Sequence, residues 1–224
     1  MDRAVDVVFF DIGGVMYDDT VYARALDRAL RELGASFDDA EFAATYAEAR
    51  AAQSGSFRDT LARRFLGPSA DVEAVERAAS KHWAYPPGSL YPDVRPCLRE
   101  LADAYRLGIV ANQPSAVREA LERDGVARFI ELWNVSADVG LEKPDPRLYA
   151  RAVAAAEVPA ERTAMVGDRL DRDIRPARDA GMRTVWVLRG EAPDRPTAAQ
   201  LAEPDAAIAD LGRLASALDR LGPA

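Results

Sequence analysis

From Pro86 onward the chain alternates short apolar runs with amphipathic stretches, and no other feature constrains its fold as tightly. Runs with strand character are Leu107–Val110, Leu132–Val135, Ala164–Val166, Thr184–Leu188 and, more weakly, Ala206–Ile208. Helical patterns fall between them at Arg95–Ala104, Ala116–Glu122, Pro146–Ala156 and Arg172–Ala180, and an Ala- and Leu-rich one closes the chain at Leu211–Leu221. Strands separated by helices are joined by crossovers, which make them parallel neighbours in one sheet. A further run, Asp6–Phe10, has the same β-branched and aromatic character and ends at Asp11-Ile-Gly-Gly14, where a strand gives way to a turn.

Between that run and the breaker Pro86-Pro87-Gly88 no strand pattern occurs. Tyr22, Ala25, Leu26, Ala29, Leu30 and Leu33 lie on one helical face, with Thr20 or Asp19 placed to cap and Gly34 to stop. Ser36-Phe-Asp-Asp39 resembles a capping box ahead of Phe42, Tyr46 and Ala49. Two more helical patterns follow, at Phe57–Leu66 and Val72–Trp83, separated by Gly67-Pro68. The expected architecture is α/β: a Rossmann-like parallel-sheet core from residues 1–16 and 86–224, with an all-α block inserted at 17–85. Tyr22, Phe42, Tyr46, Phe57 and Phe65 recur at helical spacing, which makes them core of the inserted block.

With 224 residues the chain can bury roughly 70% of its unfolded surface and needs no covalent staple. Its single cysteine, Cys97, can form no internal disulfide, which fits a reducing, cytoplasmic setting. A net charge of -8 argues against a nucleic-acid partner, which would call for basic patches. Asp6 and Asp11 break the apolar stretches near the start, so neither a signal peptide nor a membrane span is expected. Oligomeric state is not legible.

In an open parallel sheet, ligands bind beyond the carboxyl ends of the strands. Asp11 follows the first strand, Ala111-Asn112-Gln113 the second, Ser136 and then Lys143 the third, and Gly167-Asp168 the fourth, with Asp171 and Asp173 just after. Taken one at a time, these are ordinary turn or surface residues. Together they bring several carboxylates and one lysine to one rim. Carboxylates crowded together repel unless a cation neutralises them, and oxygen-only ligation suits Mg²⁺. Lys143 is one of only two lysines among 29 basic residues, so a lysine here asks for a reason.

These segments make the chain resemble the haloacid dehalogenase (HAD) superfamily of hydrolases. The matching stretches are Val8-Phe-Phe-Asp-Ile-Gly-Gly-Val15, Leu107-Gly-Ile-Val-Ala-Asn112, Gly140-Leu-Glu-Lys-Pro-Asp-Pro146 and Met165-Val-Gly-Asp-Arg-Leu-Asp-Arg-Asp-Ile174. The resemblance implies that the inserted block is a helical cap, with one of its loops selecting substrate. It makes Asp11 the nucleophile, held and assisted by Lys143. Mg²⁺ would be held by Asp11, the Gly13 carbonyl and Asp168, with Asp173 binding directly or through water. The implied partner is a small, phosphorylated molecule.

Two positions depart from the family pattern. Its phosphatases usually carry an Asp two residues after the nucleophile, protonating the leaving alkoxide and then activating water; here that residue is Gly13. General acid–base help of this kind is worth about 10²–10⁴ in rate. Asp18 or Asp19 could stand in, although their position suits capping of the first cap helix. The usual Ser or Thr of the second motif is Ala111, and Asn112 is the candidate replacement donor. In the cap, Gln53-Ser-Gly-Ser-Phe-Arg58 is the candidate selecting loop, and Arg58 a candidate contact for an anionic group. His82, the single histidine, reads as a packing or surface residue. The expectation is a Mg²⁺-dependent phosphatase forming an aspartyl phosphate. The alternatives are a weakly active or non-catalytic phospho-ligand-binding protein and a metal-free dehalogenase, for which Arg50 is a loose candidate as halide cradle.

Overall fold

Six parallel strands form one sheet in the order β3-β2-β1-β4-β5-β6. They are β1 (Val7–Phe10), β2 (Arg106–Ala111), β3 (Leu132–Val135), β4 (Thr163–Gly167), β5 (Arg183–Val187) and β6 (Ala206–Ile208). A computed structural model describes residues 3–83 and 85–222, so the ends of the expected core and Ala84 of the expected insertion lie outside the described residues. β1 is central, pairing in parallel with β2 on one side and β4 on the other. Strand order reverses there, with β2 and β3 built outward on one side and β4, β5 and β6 on the other.

The strand residues follow from burial on both faces. Val8 and Phe10 point into a cluster with Leu98, Leu101, Leu121 and Leu218, while Val7 and Phe9 point into one with Leu148, Tyr149 and Ala152. A centre covered twice favours apolar side chains without alternation, as the run shows.

Four helices occupy the insertion: α1 (Thr20–Glu32), α2 (Asp39–Ala52), α3 (Phe57–Leu66) and α4 (Val72–Ala79). Leu26, Leu30, Leu61 and Val75 form their own buried cluster, against which Phe42, Tyr46 and Phe65 pack. The core helices are α5 (Val94–Ala102), α6 (Val117–Arg123), α7 (Ser136–Val139), α8 (Pro146–Ala156), α9 (Arg175–Asp179), α10 (Ala198–Leu201) and α11 (Leu214–Arg220). The fold is thus a Rossmann-like sheet with an all-α insertion. Among the described residues no helix is long and apolar enough to cross a membrane.

Three local expectations are corrected. The capping box of α2 uses Asp38 and Glu41 rather than Ser36, because Asp38 is the residue with extended backbone directly before the helix. At α1, neither Asp19 nor Thr20 caps: Asp19 holds the N-cap position but makes no side-chain bond to the helix. Asp18 instead accepts from the Thr20 amide (2.9 Å) and hydroxyl (2.8 Å). Finally, the helix expected over Arg172–Ala180 starts as a wide π-turn, Leu170–Ile174, before α9. Single π-turns recur at functional sites.

Candidate active site

Four side chains meet beyond the carboxyl ends of β1, β3 and β4. The Lys143 Nζ lies 2.7 Å from Asp11 Oδ1 and 2.6 Å from Asp173 Oδ1. Carboxylate oxygens of Asp11, Asp168 and Asp173 lie within 4.8 Å of one another, and all three residues are buried.

The surrounding fold sets each of them. The π-turn swings Asp173 back so that its Oδ2 accepts from the Arg169 amide at 2.9 Å. Its side chain then lies over Gly167, where any Cβ would strike it. Asp168 is fixed by the Trp186 indole, which donates to its carbonyl at 2.8 Å, and by the Glu191 amide, which donates to Oδ2 at 2.6 Å. Lys143 is anchored through its main chain. Its N–H donates to Asn112 Oδ1 at 2.7 Å, and its carbonyl accepts from Asn112 Nδ2 at 3.0 Å.

The electrostatics are those of a site short of positive charge. Burial raises the Asp11 carboxyl to about 6 even though Lys143 draws it down. Burial, then Asp19, Asp173 and Asp11, push Asp168 well above the usual carboxylate range. Burial opposes the charge on Lys143, but Asp11 and Asp173 outweigh it and raise its pKa. One lysine cannot neutralise three buried carboxylates, and the nearby Arg169 is committed to Asp171 and Glu191 at 2.8 and 2.9 Å. A hard divalent cation with oxygen ligands fits such a donor set. Both Asp173 oxygens are engaged by Lys143 and the Arg169 amide, so Asp11 and Asp168 are the better placed direct ligands.

A cavity of about 1350 Å³ opens from these residues, its far wall formed by the insertion through Tyr22, Arg58 and Trp83. Arg58 therefore shares the cavity with Asp11, held by Glu76 at 2.8 Å, and its Nε is buried without a partner. Asn112 reaches the cavity too, but its side chain is spent on Lys143, which makes it a positioning residue rather than a free donor. Ala111 supplies no hydroxyl. The nearby Ser136 Oγ accepts from the Gln113 amide at 3.1 Å.

The loop expected to select substrate is anchored to the core at its start. Gln53 is fully buried and faces the core: its Nε2 donates to the Glu191 carbonyl at 2.8 Å and its Oε1 accepts from the Leu170 amide at 2.8 Å. Arg169 Nη2 donates to the Gly55 carbonyl at 2.7 Å. The loop is a plug that fixes the helical block against the π-turn, and the helix after it brings Arg58 to the cavity. Arg50 is tied to the Ala192 carbonyl and, at 2.9 Å, to Asp194. His82 bonds Glu32 at 2.6 Å.

Sequence reasoning overlooked Gln53, Arg169 and Glu191 as parts of the site's frame. Only the Gly-Asp-Arg order beside Asp168 could have drawn attention to Arg169. A backbone amide at position 191 leaves no mark in the side-chain pattern.

A buried carboxylate with a lysine against it and two further carboxylates, a donor set that suits a hard cation, thus meet at the switch point of a parallel sheet under a helical insertion. A family model for haloacid dehalogenase-like hydrolases matches residues 5–181. The chain is 38% identical over 174 residues to the phosphoserine phosphatase of Thermus thermophilus, covering 73% of this chain and 66% of that one. It is 32% identical over 201 residues to the glyceraldehyde 3-phosphate phosphatase of Pyrococcus abyssi, covering 84% and 83%. Among solved structures, a HAD phosphatase from Thermococcus onnurineus superposes with a TM-score of 0.61 at 26% identity, over 96% of this chain and 98% of that one. The chain belongs to the haloacid dehalogenase-like hydrolases.

Proposed function

We propose that the chain is a Mg²⁺-dependent phosphatase of small phosphorylated metabolites that works through an aspartyl phosphate on Asp11, with residues 17–85 as its cap. The observation that carries the reading is Asp11 itself, buried at the cavity floor with Lys143 at 2.7 Å and the Asp168–Asp173 cluster beside it. The phosphatase names of the Thermus and Pyrococcus relatives support it.

An Asp11 oxygen attacks phosphorus, the bond to the leaving oxygen breaks, and water later cleaves the aspartyl phosphate. Lys143 places a compact positive charge against the oxygens that gain charge. When bound, Mg²⁺ would be held by Asp11, the Gly13 carbonyl and Asp168, with Asp173 reached through water, and would neutralise the phosphoryl oxygens. Asn112 keeps Lys143 in place, and Arg58 on the cap wall offers a donor to an anionic or polar group of the substrate. A dehalogenase would use an arginine over the halide, and the candidate Arg50 is committed elsewhere.

The test is phosphate release from p-nitrophenyl phosphate and acetyl phosphate, with and without Mg²⁺, for wild type and Asp11→Asn. Turnover that needs Mg²⁺ and is lost in Asp11→Asn is the expected result. A folded wild type with no turnover on either substrate would overturn the reading in favour of a phospho-ligand-binding protein.

A further inference from the structure

Position 13 has no side chain, yet the space that one would occupy is filled. A Cβ built on Gly13 would stand 2.9 Å from Asp19 Oδ1. One built on Gly14 would stand 2.7 Å from Asp19 Oδ2. The carboxyl at the foot of α1 therefore leans back over the Gly13-Gly14 turn instead of capping its own helix, a task that Asp18 takes by binding Thr20. Asp19 lines the cavity with Asp11 and Lys143, and it is no member of the compact Asp11–Asp168–Asp173 cluster. The Gln113 amide nitrogen approaches the same point over Gly13, at 3.5 Å, while its oxygen accepts from the Tyr85 hydroxyl. A polar niche thus exists over position 13, and Asp19 is its carboxyl.

We propose that Asp19 performs the two proton transfers for which Gly13 has no side chain, an assignment that rests on the phosphatase reading above. As Asp11 attacks phosphorus, the bond between phosphorus and the ester oxygen breaks. The departing oxygen keeps the electron pair and takes the proton of the Asp19 carboxyl. In the second half, water attacks the aspartyl phosphate and gives a proton to the Asp19 carboxylate. The bond between phosphorus and Asp11 then breaks, which releases phosphate and restores both carboxyls. Because Asp19 stands at the N-terminal end of α1, the proton donor is carried on the first helix of the insertion rather than on the nucleophile's own turn.

The experiment compares kcat/KM for β-glycerophosphate, whose alkoxide leaves poorly without a proton, with that for p-nitrophenyl phosphate, whose phenolate leaves readily. Wild type, Asp19→Asn, Asp19→Ala and the double variant Gly13→Asp/Asp19→Ala are measured with Mg²⁺. The double variant removes the carboxyl that a side chain at position 13 would meet. The expected result is a loss of about 10²–10⁴-fold on β-glycerophosphate in the Asp19 variants. The loss on p-nitrophenyl phosphate should stay under about tenfold, and the double variant should regain β-glycerophosphate activity. Equal losses on both substrates, no loss on either, or a wild type confined to p-nitrophenyl phosphate would overturn the assignment while leaving the phosphatase reading intact. A wild type inactive on both substrates and on acetyl phosphate would overturn the phosphatase reading, and this assignment with it.

Discussion

The ammonium of Lys143 stands 2.7 Å from Oδ1 of Asp11, and both side chains are almost wholly removed from water. Asp173 completes the arrangement at 2.6 Å on the other side of the same nitrogen. The lysine therefore holds Asp11, the proposed nucleophile, and bridges two buried carboxylates. In a chain with only one other lysine, this is a place where a guanidinium would not serve: a compact point charge fits between two oxygens, whereas a planar fork needs more room.

Replacing that charge should damage both chemistry and fold. Lys143→Met leaves Asp11 and Asp173 facing each other unpaired, and breaking a buried pair costs about 3–5 kcal/mol. We expect a lower urea midpoint and a fall in kcat on p-nitrophenyl phosphate of at least about 10²-fold, the scale of losing one stabilising donor. Lys143→Arg should retain part of the stability and little of the activity. A variant with wild-type kcat would show that Lys143 is only structural.

Gly190 offers a test of Asp168. Its φ is +61°, in the left-handed region that disfavours side chains, and a Cβ there would run into Gly14 and the Asp168 carboxylate. Gly190→Ala should lower the thermal midpoint and weaken the rise in that midpoint on adding Mg²⁺. An unchanged Mg²⁺ response would mean that Asp168 is not held for a cation.

The plug is equally testable. Gln53→Leu keeps much of the volume but leaves the Leu170 amide and the Glu191 carbonyl without their partner, at about 1–3 kcal/mol for each buried polar group left unsatisfied. Limited proteolysis should then cut the 53–56 loop faster than in wild type. A cleavage rate unchanged by the substitution would argue that the Arg50–Asp194 ion pair and the Arg169 hydrogen bond to Gly55 hold the insertion without it.

The charge imbalance predicts an inverted pH response in chelator-treated protein. Burial holds the Asp11 carboxyl up at about 6, against about 3.9 for an unfolded aspartate. Between those values the folded chain keeps a proton that the unfolded chain has released, so stability falls as pH rises from about 4 to 6. Asp168 and Asp19, also raised, act in the same direction. Thermal midpoints in EDTA should be higher at pH 5 than at pH 7.5, and Mg²⁺ should add more at pH 7.5. Below about pH 4 the trend reverses, because Asp6, Asp124 and Glu203 are held below the usual range by Arg162, Arg123 and Arg175 and lose those pairs on protonation. A midpoint in EDTA that climbs steadily from pH 5 to 7.5 would contradict this account.

The sheet was legible because strand and crossover patterns are local. The third and sixth strands end where the apolar runs end, at Val135 and Ile208, and the helix Pro146–Ala156 keeps its predicted bounds. Asp11, Lys143 and Asp168 were legible for a related reason: a parallel sheet delivers whatever follows its strands to one rim, so order along the chain becomes proximity in space. Direction within a turn is not encoded in that way. Asp18 and Asp19 are neighbours of identical chemistry, and one of them caps while the other leans over Gly13. Gln53 read as part of a substrate-selecting loop, and only the folded core shows Leu170 and Glu191 binding it. For Gln53 the deciding partners lie far along the chain, and the free energy that selects its conformation comes from contacts that exist only once the insertion and the sheet have packed together.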